Sequence, residues 1–351
     1  MYYATDFGCD PTGTSDSTAA MQAFLLAARA SVGVIPAGTY KISQELYFGY
    51  NCATEYGPDL HAEAFGAGKV GGWLRGEGPS NTILKWTGTT DDSSSILRVS
   101  SPHCRITGIQ FWGSSNKVGH GIVFQHSHRA IIEQCRVRAT SQAGFYWNLY
   151  WRGYVADPQV ADSTPYTYHM LVENCEAVSC GAEGFYLSSG GGTGAQGNVL
   201  FVNCVAQSNS TYGFRVQCSG NGVQLHGCRA RSNGSNGFQI EGDLNGSTSV
   251  RSVLGALWAD GNTGQGLYFA GGADSNLVVG GNLPSIVDDG TGVNPVLVPI
   301  GGALTVSRAA RTGASPVAQH DLRFRADTKE VISKTFSSPP IDVTLDFDDL
   351  C

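Results

Sequence analysis

The sequence has few charged residues and no long apolar segment. Charged side chains make up 15% of the 351 residues while 41% are hydrophobic, a balance that does not fit a disordered chain. Because no run of 18 apolar residues occurs, we expect no transmembrane helix and no membrane partner. Basic residues number 22 and acidic residues 29, so the net charge is −7. Phosphate binding needs a basic surface, and the acidic balance therefore argues against a nucleic-acid partner.

Cysteine and export motifs are also scarce. The ten cysteines form no CxxC pair and are too few for a disulfide scaffold, so we predict neither a metal site nor a cofactor. The first residues, MYYATDFGCDPTG, show neither the basic nor the apolar segment of a secretion signal. This favours a protein that is not exported by that route.

Glycine, in contrast, is abundant at 47 residues, and it accompanies an internal repeat. The repeat places a cysteine ten residues before a phenylalanine that follows a glycine. The four full copies are Cys135–Phe145, Cys175–Phe185, Cys204–Phe214 and Cys228–Phe238. A fifth copy has leucine at both positions, Leu257 and Leu267, and in a partial sixth copy Ile122 takes the phenylalanine position.

Side chains alternate within each copy, which indicates short strands with one buried face. In GFRVQC, Phe214 and Val216 are apolar while Arg215 and Gln217 are polar. A second strand contains the cysteine and a third precedes it, so one unit holds three strands and tight corners. This predicts an all-β fold: a single-stranded right-handed parallel β-helix, a solenoid whose coils stack at roughly 4.8 Å. The repeated cysteines should then form a buried column. Asn209, Asn233 and Asn262 should form another with a structural role, because asparagine tolerates left-handed backbone and can bond the neighbouring corner. Asn209 and Gly213 are expected to set the corners of their coil.

The two ends of the chain differ from the coils. Residues 16–30 predict an amphipathic helix with Met21, Phe24, Leu25 and Ala28 on one face, within an N-terminal cap spanning residues 1–45. The β-helix is expected over residues 46–290, interrupted by insertions at about 49–72 and 146–169. Residues 291–351 read as a linker followed by short alternating strands, a C-terminal β-region that closes the helix or joins subunits.

Three segments carry a family resemblance: ATDFGCDPTGTSDSTAAMQAFLLAA, VIPAGTYKIS and LRGEGPSNTILKWTG. They resemble the N-terminal signature of the pectate-lyase-like superfamily of right-handed β-helices. That superfamily includes polysaccharide lyases, glycoside hydrolases, epimerases and many bacteriophage tailspikes. The resemblance implies the fold, a polysaccharide partner and, because tailspike-like β-helices are commonly homotrimers, a trimer. It does not imply a reaction, because these segments lie in the cap and the first coils.

The repeat register aligns outward positions into a polar face along the helix axis. Two residues before the phenylalanine position lie His120, Glu183, Tyr212 and Asn236, and one residue after it lie Tyr146, Tyr186, Arg215 and Tyr268. The insertion at 146–169 is rich in aromatic residues that line a groove, enter a subunit contact or pack on one another. The predicted sugar-binding residues are Tyr146, Trp147, Tyr150, Trp151, Tyr154, Tyr186, Tyr212 and Tyr268.

Glu183 and Glu241 are the candidate catalytic carboxyls of a hydrolase, facing the same side two coils apart, roughly 10 Å along the axis. Elimination by a lyase would instead use a base and a cation, roles that His120, Tyr186 and Arg215 could take. We therefore expect a bacteriophage tailspike- or tail-fibre-like protein of the virion, in contact with other tail proteins, that binds a bacterial surface polysaccharide. The sequence leaves open whether it also cleaves this polymer. The alternatives are a free-standing extracellular lyase, hydrolase or epimerase, and a non-catalytic virion protein.

Overall fold

The computed structural model describes most of the chain as a solenoid. It covers residues 1–49, 71–148, 167–188, 196–217, 221–242 and 251–289, apart from 116, 126, 128, 272, 274 and 275. Beyond residue 289 it describes the backbone of 296–297, 305–308, 320–325 and 330–335. The predicted insertion at 49–72 falls largely outside these ranges, as does most of the insertion at 146–169.

Parallel strands form three faces of the solenoid wall, here called sheets I, II and III, and most coils contribute a strand to each in turn. Sheets I and II join into one 18-stranded sheet through Arg251–Asp260, and sheet III is a separate sheet of ten strands. Sheet I contains Tyr2–Tyr3, Val32–Val34, Trp73–Arg75, Arg105–Thr107, Ile131–Glu133, Thr167–Glu173, Gln196–Val202, Asn221–His226, the start of Arg251–Asp260, Leu277–Asn282 and Val296–Leu297. Sheet II contains Gly38–Ile42, Thr82–Trp86, Gln110–Trp112, Arg136–Arg138, Glu176–Val178, Val205–Gln207, Arg229–Arg231 and the end of Arg251–Asp260. Sheet III contains Leu46–Gly49, Asp91–Ser100, Val118–Phe124, Phe145–Asn148, Phe185–Ser188, Phe214–Gln217, Phe238–Glu241, Leu267–Phe269, Ser285–Asp288 and Thr305–Arg308. The predicted all-β solenoid with three strands per coil is confirmed.

Register in sheet III stacks identical side chains inside the solenoid. Phe145 pairs with Phe185, Phe185 with Phe214, and Phe214 with Phe238. Their rings lie face to face with centroids 4.8, 4.7 and 5.0 Å apart. Because offset-stacked rings attract one another beyond the area that they bury, this column stabilises the coil register as well as the core.

The cysteine column is buried as predicted. Cys135, Cys175, Cys204 and Cys228 are at most 1% exposed, and none forms a disulfide. Their thiols donate to backbone carbonyls of the previous coil; the sulfur of Cys204, for example, lies 3.3 Å from the carbonyl oxygen of Val172. A small side chain with a weak donor therefore fits this position, where a bulkier one would press on the corner.

An asparagine column fixes the corner between sheets II and III. The Nδ2 of Asn209 donates to the carbonyl oxygen of Ala177 at 3.3 Å and to the Oδ1 of Asn233 at 2.9 Å. Asn233 repeats this pattern with Ala206 and Asn262. Each buried amide thus forms hydrogen bonds with the coils on both sides of it, and this confirms the predicted structural role.

The corner backbone itself differs from the sequence-based interpretation. Asn209 was expected to supply a left-handed corner residue, yet the positive φ angles belong to Asn203, at 52°, and Ser208, at 55°. Gly213 also has another function, because a Cβ there would lie 2.6 Å from the carbonyl oxygen of Gly237 in the next coil. The glycine allows close packing of coils and the asparagine binds by its side chain.

The N-terminal helix covers one end of the core. It spans Thr18–Ala28, shorter than the predicted 16–30, and buries the predicted face of Met21, Phe24, Leu25 and Ala28. Its N-cap residue is Ser17, and Asp16, one residue earlier, accepts from the backbone N–H of Thr18 at 2.9 Å. No helix in the described part of the chain is long and apolar enough to cross a membrane.

Coil stacking continues past residue 290, where the sequence predicted a linker. Val296–Leu297 pairs in parallel with Val278–Val279 of sheet I, and Thr305–Arg308 pairs in parallel with Ser285–Asp288 of sheet III. The two prolines of VNPVLVPIGG suggested a break because proline is unfavourable inside sheets. The pairing strand uses only the residues between them. An antiparallel hairpin follows, His320–Arg325 with Glu330–Thr335.

Candidate functional site

The outer side of sheet III carries a continuous row of polar and aromatic side chains, which we call the sheet III face. Most of these residues alternate with the buried phenylalanine column and therefore point outward. His120, Glu183 and Tyr212 instead lie two residues before a column position, ahead of the glycine that precedes it, and their side chains reach the same face. The sheet III face comprises the following side chains: Glu45, Arg98, His120, Tyr146, Glu183, Tyr186, Tyr212, Arg215, Gln239, Glu241, Tyr268 and Asp289.

Ring stacking links four of these residues across successive coils. The centroids of His120 and Tyr146 are 4.5 Å apart, and those of Tyr146 and Tyr186 are 5.2 Å apart. The guanidinium carbon of Arg215 continues the row 4.9 Å from the ring centroid of Tyr186 and lies 5.4 Å from that of Tyr212. The stacks run parallel to the solenoid axis, so the sheet III face offers similar groups repeatedly in one direction.

Arg215 lies between the two predicted catalytic carboxyls. Its Nη1 donates to the Oε1 of Glu183 at 3.1 Å, and its Nε donates to the Oε1 of Glu241 in a short charge-assisted bond. The two glutamates lie two coils apart, as predicted. Because both side chains bind one guanidinium, their carboxyl groups lie closer together than their backbones do. Burial alone would lower the pKa of Arg215, yet the hydrogen bonds and charges of the two glutamates outweigh it and raise this pKa above its usual range. The result is a fixed cation with two carboxylates, of net charge −1.

A second ion pair lies nearer the N-terminal end of the sheet III face. Arg98 binds Glu45 through its Nε at 3.0 Å and its Nη2 at 2.8 Å, and Ser95 donates to the same carboxylate through its N–H and its hydroxyl. Sequence reasoning missed this pair because the first coils lack the cysteine–phenylalanine repeat. The position of Arg98, directly after the buried Leu97, was the available signal.

The titratable side chains of the stacked row are mostly neutral. Burial lowers the pKa of His120 to about 4, and its Nδ1 has no hydrogen-bond partner. Burial also raises the pKa of Tyr146 to about 12 and that of Tyr186 above its usual range. At neutral pH His120 is therefore a neutral, weakly basic side chain, and both tyrosines keep their protons.

The tyrosine hydroxyls are committed to neighbours. Tyr186 donates to the Oε1 of Gln217 at 2.6 Å, and Tyr268 donates to the Oδ2 of Asp289 at 2.9 Å. Hydrogen bonding to Asp289, more than burial, raises the pKa of Tyr268. These bonds orient the two rings.

One predicted sugar-binding residue is wrong. Trp147 is fully buried, stacked on Phe124 at 4.9 Å, and its Nε1 donates to the sulfur of Met170 at 3.3 Å. The physical reason is the strand alternation, since a residue two places after Phe145 points inward like Phe145 itself. Tyr150, Trp151 and Tyr154, also predicted to bind sugar, lie outside the described residues.

The structure brings together most of the other predicted residues. His120, Tyr146, Tyr186, Tyr212, Arg215, Glu183 and Glu241 form the continuous cluster described above, while Tyr268 lies one coil beyond it. Among the described residues no three His, Cys, Asp or Glu side chains converge in a way that could hold a metal ion.

Comparisons with known proteins define the class. The family described as right handed beta helix region matches residues 94–254. The A-module of mannuronan C-5 epimerase AlgE4 from Azotobacter vinelandii is similar with a TM-score of 0.59 and 17% identity, over 91% of this chain and 100% of that chain. The gp42 tailspike of Acinetobacter phage vb_AbaP_AS12 is similar with a TM-score of 0.58 and 10% identity, over 98% of this chain and 66% of that chain.

A further phage protein, ORF18 of Geobacillus virus E2, has a TM-score of 0.52 and 14% identity, over 87% of this chain and 59% of that chain. The chain thus spans less than two thirds of the length of either phage protein. No curated protein matches the sequence. The chain is a right-handed parallel β-helix with the pectate-lyase-like fold, a fold that it shares with phage tailspikes and with polysaccharide-modifying enzymes.

Proposed function

We propose that the chain is a bacteriophage tailspike- or tail-fibre-like protein that binds a bacterial surface polysaccharide along the sheet III face. The observation that carries the proposal is the stacked row His120–Tyr146–Tyr186–Arg215, which runs through successive coils parallel to the axis. A linear polymer is the kind of ligand that meets the same groups repeatedly in one direction. Half-exposed tyrosines offer sugar rings an apolar surface, and the flanking carboxylates and amides accept hydrogen bonds from hydroxyls.

The likeness to a phage tailspike and to a mannuronan epimerase module supports a polysaccharide ligand, because both proteins share the fold of this chain. Identities of 10% and 17% carry the fold and no residue role. The assignment to the sheet III face therefore rests on the side chains of this chain.

The proposal also includes cleavage of the polysaccharide, with Glu183 and Glu241 as the acid–base pair. An inverting hydrolase needs a gap for water between its two carboxyls, and here the guanidinium of Arg215 occupies that gap. Hydrolysis thus requires Arg215 to move when the polymer binds. Binding is the function that the geometry supports best, and cleavage is decided by assay.

The binding test uses a panel of purified capsular and O-antigen polysaccharides with matched aromatic variants. Tyr186→Ala removes the central ring of the stacked row, whereas Trp258→Ala removes a ring of sheet II that is 47% exposed. We expect Tyr186→Ala to weaken binding at least tenfold while Trp258→Ala binds like the unmodified protein. Equal effects of both substitutions, or no binding by any member of the panel, would contradict the proposal.

The cleavage test follows reducing ends, which hydrolysis releases, and ultraviolet absorbance, which the unsaturated product of a lyase adds. We expect Glu183→Gln and Glu241→Gln each to lower the rate of reducing-end release at least a hundredfold if they form the acid–base pair. Full activity in both variants would remove these residues from the site.

We also infer a homotrimer joined through sheet I, with the virion tail as its location. An outward aliphatic column crosses three coils of this sheet, where Ile131 pairs with Leu171 and Leu171 with Leu200, all half-buried. Partly exposed aliphatic side chains that lie side by side are typical of subunit contacts. The mass in solution should be three times that of one chain, and Leu200→Lys should shift it toward one. A monomer would instead favour a free-standing lyase, hydrolase or epimerase.

A further inference from the structure

We infer that the sugars contacted by the sheet III face are uncharged or cationic, such as neutral hexoses and amino sugars, and that polyuronates are rejected. This inference rests on the proposed function and narrows its substrate class. It comes from the charges of the face and from how they are already paired.

Negative charge predominates among the described side chains of the sheet III face. Two arginines, Arg98 and Arg215, stand against four carboxylates, which are Glu45, Glu183, Glu241 and Asp289, so the sum is 2 − 4 = −2. His120 adds no positive charge near neutral pH because burial keeps it neutral. The whole chain carries −7, so its long-range field also repels a polyanion.

Both arginines are already paired with carboxylates of the chain. Arg215 donates to Glu183 and to Glu241, and Arg98 makes a two-pronged contact with Glu45. A uronate bound to the remaining N–H groups of Arg215 would lie beside two carboxylates that already give this cluster a net charge of −1. Displacing Glu183 is no alternative, because Glu183 is only 7% exposed and an unpaired carboxylate at that depth is strongly unfavourable.

The same carboxylates suit a ligand that donates hydrogen bonds. Each glutamate uses one oxygen, Oε1, toward Arg215, which leaves Oε2 of Glu183 and of Glu241 as charged acceptors. Sugar hydroxyls and the ammonium group of an amino sugar are donors of the matching kind, and charged acceptors bind them about twice as strongly as neutral ones. The Oδ2 of Asp289 and the hydroxyl of Tyr268 extend this acceptor row by one coil.

The experiment compares each acidic polymer with its own uncharged form. Uronate-containing capsular polysaccharides are measured by affinity electrophoresis before and after chemical reduction of their carboxyl groups, beside neutral and amino-sugar O-antigen polysaccharides. Two variants accompany the unmodified protein. Glu241→Gln removes one negative charge from the sheet III face, and Glu133→Gln removes a comparable ion-paired carboxylate, bound to Arg105 at 2.6 Å, from sheet I.

We expect neutral or amino-sugar polymers to bind, carboxyl reduction to strengthen binding of an acidic polymer at least tenfold, and added salt to strengthen binding of its unreduced form by screening repulsion. Glu241→Gln should strengthen binding of that unreduced form several-fold, and Glu133→Gln should leave it unchanged. Tighter binding of the uronate polymer than of its reduced form, lost in Arg215→Gln, would overturn the inference and leave the proposed function intact. No binding by any polymer would overturn both.

Discussion

The inner and outer sides of sheet III are built by alternate residues of the same strands. Inside, Phe145, Phe185, Phe214 and Phe238 repeat one residue type through four coils. Outside, the positions directly after them hold Tyr146, Tyr186, Arg215 and Gln239. One column is uniform and the other changes at nearly every coil.

The difference reflects two physical requirements. A buried layer must fill the same cross-section in every coil, so one ring stacked on the next solves the packing problem repeatedly. The outer layer is not held to one cross-section and can vary from coil to coil. Residues that differ between repeats, such as Arg215 among tyrosines, are therefore the ones to which the proposal assigns recognition.

The largest effect should come from breaking the inner column. Phe214→Ala removes a fully stacked ring and should lower the free energy of unfolding by about 3–5 kcal/mol, because it leaves a cavity between two coils. Tyr212→Ala, two residues away on the outer side, should cost about 1 kcal/mol. Chemical denaturation of both variants measures the contrast, and similar losses would show that the outer column carries as much stability.

The second prediction is that the stability of the fold depends on pH through His120 of the sheet III face. The pKa of His120 is lowered from 6.5 to about 4 in the folded chain, so between these values the unfolded chain binds more protons. The contribution to stability is complete above pH 6.5 and is lost as the pH falls toward 4, by up to roughly 3 kcal/mol. His120→Phe keeps a ring beside Tyr146 and removes the proton site. Denaturation at pH 7 and pH 4 should give a smaller difference for this variant, and an unchanged difference would refute the assignment.

The third prediction concerns the asparagine column at the corner between sheets II and III. Asn233→Ala deprives the backbone N–H of Asn209 and the carbonyl of Ala206 of their partners and should cost about 1–3 kcal/mol. Gln207→Ala, on the outer side of sheet II, serves as the control and should stay within about 0.5 kcal/mol. Equal stabilities of the two variants would mean that the buried amide contributes nothing.

The smallest effect concerns a single hydroxyl. Tyr186→Phe keeps the ring stacked on Tyr146 but loses the hydrogen bond to Gln217, which should cost about 0.5–1.5 kcal/mol in stability. Because the ring remains, polysaccharide binding should fall less than in Tyr186→Ala. Thermal denaturation and affinity electrophoresis measure the two quantities, and an equal loss of binding in both variants would move the recognition from the ring to the hydroxyl.

Sequence reasoning reached the fold because the repeat reports directly on the buried layer. The ten-residue spacing of Cys204 and Phe214 recurs, and strand alternation then assigns the neighbours to inside or outside. Alternation also places Arg215 and Glu241 outside, whereas Glu183, two residues before Phe185, was placed there by the polar column that it shares with His120 and Tyr212. The prediction failed at Trp147, where an aromatic-rich composition was given more weight than alternation.

Other features depend on side-chain directions that a sequence does not encode. Arg215 reaches both glutamates through rotamers set by its coil neighbours, and Glu45 pairs with Arg98 across 53 positions of chain without any repeat to align them. The left-handed corner lies at Ser208 rather than at Asn209, although asparagine tolerates that conformation better than most residues. The sequence pattern alone predicts none of these features.

The central claim is that the sheet III face is the recognition surface. A crystal structure with an oligosaccharide cut from a bound polymer tests it most directly. The account predicts the sugar chain along the solenoid axis against Tyr146 and Tyr186, with hydroxyls on the free oxygens of Glu183 and Glu241. A sugar chain bound to sheet I or sheet II, with the sheet III face unoccupied, would contradict it.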